Sequence, residues 1–146
     1  MWWLVAIFLT LVLVVVIATH KQPSTLVEVK NRYEKLRVHL QTLDDPRWKK
    51  LTSVPIITGM IDWDKKKGPI GYNVNKGYEI GICLTGDDAN SAFYVLIHEL
   101  AHITVSEYDH STDFWKNFKD LKDICVNLGL YDPKGATTYC GELIVR

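Results

Sequence analysis

The clearest chemistry in the chain lies at His98-Glu99-Leu100-Ala101-His102. On a helix, residues four apart stand one turn apart on the same face, so His98 and His102 can offer two imidazole nitrogens to one metal ion at about 2.0 Å. Glu99 is rotated by about 100° from that face, so it is poorly placed as a third ligand to the same ion. Its carboxylate can reach a water held there, which is the position of a general base. A catalytic zinc takes three protein ligands and keeps one place for water. His110 is the best-placed third ligand, just past the expected end of the helix and directly before the cap of the next one. Glu107 and Asp109 in the same turn, and Glu142 or an Asp of the last helix, are the alternatives. His20 and His39 have no route to the metal and are read as surface or structural residues. Tyr108, Tyr131 and Tyr139 are candidate donors to an oxyanion developing opposite the base.

Two helices must position these residues. The first is predicted to begin near Asn90 or Ser91, where a capping side chain precedes Phe93, Leu96, Ile97, Leu100 and Ile103. Because its other faces are apolar, two histidines and a glutamate inside it are costly unless something pairs with them. The bland alternative is a pair of satisfied core histidines beside an exposed glutamate. The second helix is predicted to start after Ser111 and to carry the stripe Phe114, Phe118, Leu121, Cys125 and Leu128, with Gly129 ending it and Pro133 soon after.

The run IHELAHITVSEYDHSTDFWKNFKDL resembles the core of WLM-type and SprT-type zinc peptidases, in which HExxH is followed after a short loop by a third histidine and then an aromatic. Here those are His110 and then Phe114 with Trp115. The resemblance implies a minimal zincin fold, with a small sheet laid against the active helix. It also implies one Zn2+ on His98, His102 and His110, Glu99 as base, and a protein or peptide substrate. Family members that act on DNA–protein crosslinks carry DNA-, ubiquitin- or SUMO-interaction segments that are not found here, so no nucleic-acid partner is expected. The metzincin pattern would need Gly at Val105 and His at Tyr108, and has neither.

Net charge is zero, yet His20 to Ile80 holds twelve Lys and Arg against seven Asp and Glu, and the remainder five against ten. A basic half of this kind suits anionic headgroups better than a nucleic-acid surface, which more often shows a basic face across the whole domain. The run Trp2 to Ala18 is apolar except for Thr10 and reaches about 25 Å as a helix, at the lower limit for a membrane span. Trp2 and Trp3 at one end and His20 and Lys21 at the other are the expected interfacial anchors. No Lys or Arg precedes the run, so an uncleaved anchor is favoured over a secretory signal, and the positive flank behind it places the rest in the cytoplasm. Three cysteines without CxxC spacing, Cys83, Cys125 and Cys140, read as buried reduced thiols.

After Pro23, Thr25-Leu26-Val27-Glu28 reads as a capping box, and Leu26, Val29, Tyr33, Leu36, Leu40 and Leu43 form the stripe of an amphipathic helix packed on the domain. A dimerising stem is the alternative role. Short β-rich runs follow at Val54 to Ile57, Ile70 to Val74 and Tyr78 to Leu84, with Asn75-Lys76-Gly77 as a hairpin turn. Lys65-Lys66-Lys67 with Gly68-Pro69 reads as an exposed loop, and the tail YCGELI as an edge strand. The expectation is an α+β chain with a transmembrane helix over 1–19 and a zincin-like metallopeptidase domain over 20–146, its sheet small and mainly antiparallel. The alternative function is a non-catalytic binding or assembly module with a structural or vestigial metal. Oligomeric state has no signature in the sequence.

Overall fold

A computed structural model describes residues 1–19, 23–53, 55–60, 70–85, 88–135, 138–140 and 142–143. The apolar run forms helix α1 (Trp2–Thr19), whose large side chains are exposed. Among the described residues no helix is long and apolar enough to cross a membrane. This overturns the expected transmembrane anchor. With 18 residues, α1 reaches about 27 Å at ~1.5 Å per residue, short of a ~30 Å hydrocarbon core. The single-pass placement and the inferred cytoplasmic side fall with it.

Helix α2 (Ser24–Thr42) realises the second stripe, burying Leu26, Val29, Tyr33, Leu36 and Leu40. It begins behind Pro23 without a side-chain cap, so the expected capping box does not form, and Glu28 pairs instead with Arg32 one turn on at 2.9 Å. The buried stripe is used within the domain, against helix α3 (Ala89–Ile103) and a 3-10 turn at Pro46–Thr52. Tyr33 fastens that turn by donating its hydroxyl to the carbonyls of Leu51 at 2.9 Å and Ser53 at 2.7 Å.

The strands are β1 (Ile56–Met60), β2 (Gly71–Val74) and β3 (Glu79–Cys83), in the order β1-β3-β2. The hairpin expectation holds. β2 runs antiparallel to β3, from Gly71 opposite Ile82 to Val74 opposite Glu79. Its turn takes positive φ at Asn75 (49°), Lys76 (51°) and Gly77 (106°). The other pairing corrects the expected mainly antiparallel sheet, because β1 lies parallel to β3, from Ile56 opposite Glu79 to Met60 opposite Cys83. The chain passes from β1 at one edge to β2 at the other before β3 fills the centre, so the sheet is mixed.

Against this sheet lies α3, with Ala92, Phe93, Leu96, Ile97, Leu100 and Ala101 fully buried. Asp88 caps it by accepting from Asn90 N at 3.0 Å and from Ser91 Oγ at 2.7 Å. Helix α4 (Thr112–Asn127) packs on α3 through Phe114, Phe118, Leu121 and Cys125 and is followed past its cap by Gly129, whose φ of 70° suits a residue without a side chain. Asn117 on α4 donates to Thr104 Oγ1 at 3.0 Å and accepts from Arg47 Nη1 at 3.1 Å, linking both helices to the 3-10 turn.

The tail strands β4 (Thr138–Tyr139) and β5 (Glu142–Leu143) pair with each other, not with the edge of the main sheet as expected. The cysteines also depart from expectation. Cys83 and Cys140, 57 residues apart, form a disulfide, and only Cys125 is a free buried thiol. His20, Lys21, Val54 and the Lys65-Lys66-Lys67-Gly68-Pro69 loop lie outside the described residues.

Candidate metal centre

His98, Glu99 and His102 occupy the C-terminal half of α3, and His110 ends the segment that links α3 to α4. Ser111 then caps α4, accepting from Phe114 N at 3.1 Å while its hydroxyl donates to Glu107 Oε1 at 2.6 Å. The cap thus fixes where the chain turns just beyond His110. One ring nitrogen from each of His98, His102 and His110 lies within 4.8 Å of the others. Two ligands on a tetrahedral ion, each ~2.0–2.1 Å from it, stand about 3.3 Å apart. The Nε2 atoms of His98 and His110 are 3.1 Å apart. The trio can therefore hold a metal ion, and three imidazoles suit zinc.

Electrostatics favour the neutral imidazoles that such an ion requires. Burial, followed by the charge of His102 and His110, pulls His98 down to about 4. Burial, followed by His110 and Lys76, does the same to His102. Aromatic rings on α4 supply much of the dry wall. Phe114 stacks on the His102 ring at 4.3 Å between centroids, and Phe114, Trp115 and Phe118 all face His98 edge-on.

Glu99 is 8% exposed, and burial pushes its carboxyl up to about 7. β2 passes directly over it. A Cβ on Gly71 would stand 2.7 Å from Val95 Cγ1 and 3.0 Å from Glu99 Oε1, so the strand can lie this close only because Gly71 has no side chain. Asn73 on the same strand donates to the Glu99 carbonyl at 2.8 Å. Glu99, the three imidazoles, Gly71, Tyr72, Asn73, Lys76 and Tyr108 surround a cavity of about 320 Å³.

The alternatives sort by position. Glu107 is engaged by Ser111 and Ser106, and no group of three metal-ligating side chains among the described residues includes it or Asp109. The Glu142 side chain lies outside the described residues. Of the three tyrosines, Tyr108 is on the cavity wall, Tyr131 packs against Tyr94, and Tyr139 donates its hydroxyl to the Cys83 carbonyl. His39 lies on α2, outside the cavity. Sequence reasoning missed the contribution of β2. Its hairpin was legible, but nothing in the spacing of Gly71, Asn73 or Lys76 connects that strand to the helix it overlies.

A family model described as the WLM domain matches residues 45–142, about two thirds of the chain. An uncharacterised protein of Acanthamoeba polyphaga mimivirus is 40% identical over 86 residues, which are 50% of this chain and 42% of that protein. An uncharacterised protein of Invertebrate iridescent virus 6 is 37% identical over 75 residues, 46% of this chain and 42% of that protein. The chain thus spans about two fifths of the length of the curated relatives it matches. Among solved structures, a crystal structure of a Wss1 mutant from S. pombe is similar at 29% identity with a TM-score of 0.38, covering 64% of this chain and 85% of that one.

Proposed function

This chain belongs to the WLM domain family, a family of zinc-metallopeptidase type, and from that premise we propose that it is a zinc-dependent peptidase acting on proteins or peptides. One zinc ion is held by His98, His102 and His110, and Glu99 is the general base. The observation that carries the reading is the convergence of three imidazoles beside a buried carboxylate in one cavity. No other group of three metal-ligating side chains occurs among the described residues.

Bound zinc supplies Lewis acidity, polarising a carbonyl and lowering the pKa of a water toward ~7. The remaining work belongs to the chain. Glu99, raised by burial to about 7, has a proton affinity suited to taking a proton near neutrality and returning it to the leaving amine. Phe114, Trp115 and Phe118 pack edge-on against the His98 imidazole and hold its orientation. Tyr108, on the cavity wall, is our candidate donor to the developing oxyanion.

The test combines metal analysis with cleavage of an unfolded test protein. Wild type is expected to carry one equivalent of zinc and to cleave. Glu99→Gln should keep the zinc and lose about a hundredfold to ten-thousandfold in rate. His110→Ala should lose zinc affinity, and full affinity in that variant would move the third ligand elsewhere. Zinc-loaded wild type with no peptidase activity, and biological function intact in Glu99→Gln, would favour the binding or assembly module.

A further inference from the structure

Lys76 sits in the β2–β3 turn with a φ of 51°, a backbone region that costs a residue with a side chain of this size more than it costs Gly or Asn. The turn's own hydrogen bonds do not use its ammonium. Gly77 N donates to Asn73 Oδ1 at 2.7 Å and Tyr78 N to the Val74 carbonyl at 3.0 Å. Instead the Lys76 ammonium crosses to the metal-site side and donates to three carbonyls, those of His102 at 2.8 Å, Val105 at 3.0 Å and Glu107. Three donors meet three acceptors, the full capacity of an ammonium group. The Tyr108 ring covers the same group, its centroid 4.5 Å away.

The positions of those carbonyls give the contact its meaning. The His102 carbonyl is among the last of α3, where helix carbonyls have no partner in the helix and the dipole favours a cation. Val105 and Glu107 lie in the irregular segment between α3 and His110. A single cation therefore gathers the end of the helix that carries two imidazoles and the loop that delivers the third.

We propose that Lys76 is a positioning residue, a clamp that shapes the loop after α3 so that His110 closes on the same ion as His98 and His102. The proposal rests on the reading of those histidines as zinc ligands. It assigns the hairpin a part in metal retention although no atom of Lys76 touches the metal.

The experiment compares zinc affinity, by competition with a chromophoric chelator, in the full wild-type chain, Lys76→Met, His110→Ala and the double variant. Cobalt absorption of each reports the coordination geometry. Lys76→Met is expected to bind zinc about tenfold to a hundredfold more weakly and to change the cobalt spectrum toward that of His110→Ala. Added to His110→Ala, the same substitution should cost nothing further, because the ligand it positions is already gone. Lys76→Arg keeps the charge but not the three-way convergence, so it should also weaken binding only where His110 is present. It carries the test if the Met variant does not fold. Undiminished affinity in the Lys76 variants, or an equal loss with and without His110, would overturn the clamp while leaving the metal site standing. A wild type that binds no zinc would overturn the site and the clamp together.

Discussion

Two of the cavities against α3 can be compared directly, and the larger of the pair is the less capable. Near the start of the helix, an open cavity of about 500 Å³ is lined by Arg32, Asp88, Asn90 and residues between Gly129 and Gly135. Its polar groups are spent on one another. Asn90 Nδ2 donates to the Asp132 carbonyl at 2.9 Å, Asp132 N returns a bond to Asn90 Oδ1 at 2.7 Å, and Arg32 donates to the Leu130 carbonyl at 3.0 Å. At the other end of the same helix the cavity is about 320 Å³. There three ring nitrogens face one another and a carboxylate is buried beside them, an arrangement that costs energy until something binds. The difference is one of commitment. Side chains that satisfy each other build structure, and side chains crowded together with like requirements build a site.

The largest expected effect sharpens that contrast at the smaller cavity. Phe114 is fully buried and stacks on both His102 and Phe118, so Phe114→Ala should cost about 3–5 kcal/mol in denaturant unfolding and weaken zinc binding in the same protein. Gly71→Ala should come next, at about 1–3 kcal/mol, because the new methyl is driven toward Val95 and the Glu99 carboxylate. Zinc should stay bound while cleavage falls. A variant with unchanged rate would show that β2 does not constrain the base. At the larger cavity, Asn90→Ala removes two hydrogen bonds and should cost about 1–3 kcal/mol with zinc affinity unaltered. Lost zinc there would break the distinction between the two ends of α3.

A further effect is one of pH and is read on the metal-free chain in chelator. Burial raises Glu99 from its usual range to about 7, so its contribution is complete below about 4.5 and is lost as pH rises through about 7. His98 and His102 are lowered to about 4, so theirs is complete above about 6.5 and is lost as pH falls through about 4. Melting midpoints of Glu99→Gln should therefore gain on wild type between about pH 5 and about pH 8. A constant gap across it would mean that Glu99 is not buried in the metal-free chain.

What the sequence disclosed was what neighbours along the chain decide. The spacing of Phe93, Leu96, Ile97, Leu100 and Ile103, the caps around Ser111 and Gly129, and the His98-Glu99-His102 pattern all depend on residues within a turn or two. Those elements appear within a residue or two of where they were expected, and His110 joins the other two imidazoles. Distant partnerships were hidden. The parallel pairing of Ile56 with Glu79 leaves no mark in local alternation. Cys83 and Cys140 gave no spacing signal, and connectivity among cysteines is not encoded in their order. Lys76 acts on backbone carbonyls, which every residue carries, so no side-chain pattern announces it. The N-terminal run misled through length, since its apolar composition suggested a span that an 18-residue helix does not reach.

The Cys83–Cys140 bond makes the polypeptide between those residues a covalent ring, and every ligand of the proposed site lies on it. Shortening the reach of the unfolded chain by a closure of 57 residues is worth about 4 kcal/mol in the chain-entropy description. A protease that nicks the ring once, at Tyr108 for example, opens it without releasing a fragment. The two halves would part on a gel only after a thiol reductant, whereas a cut before Cys83 would separate at once.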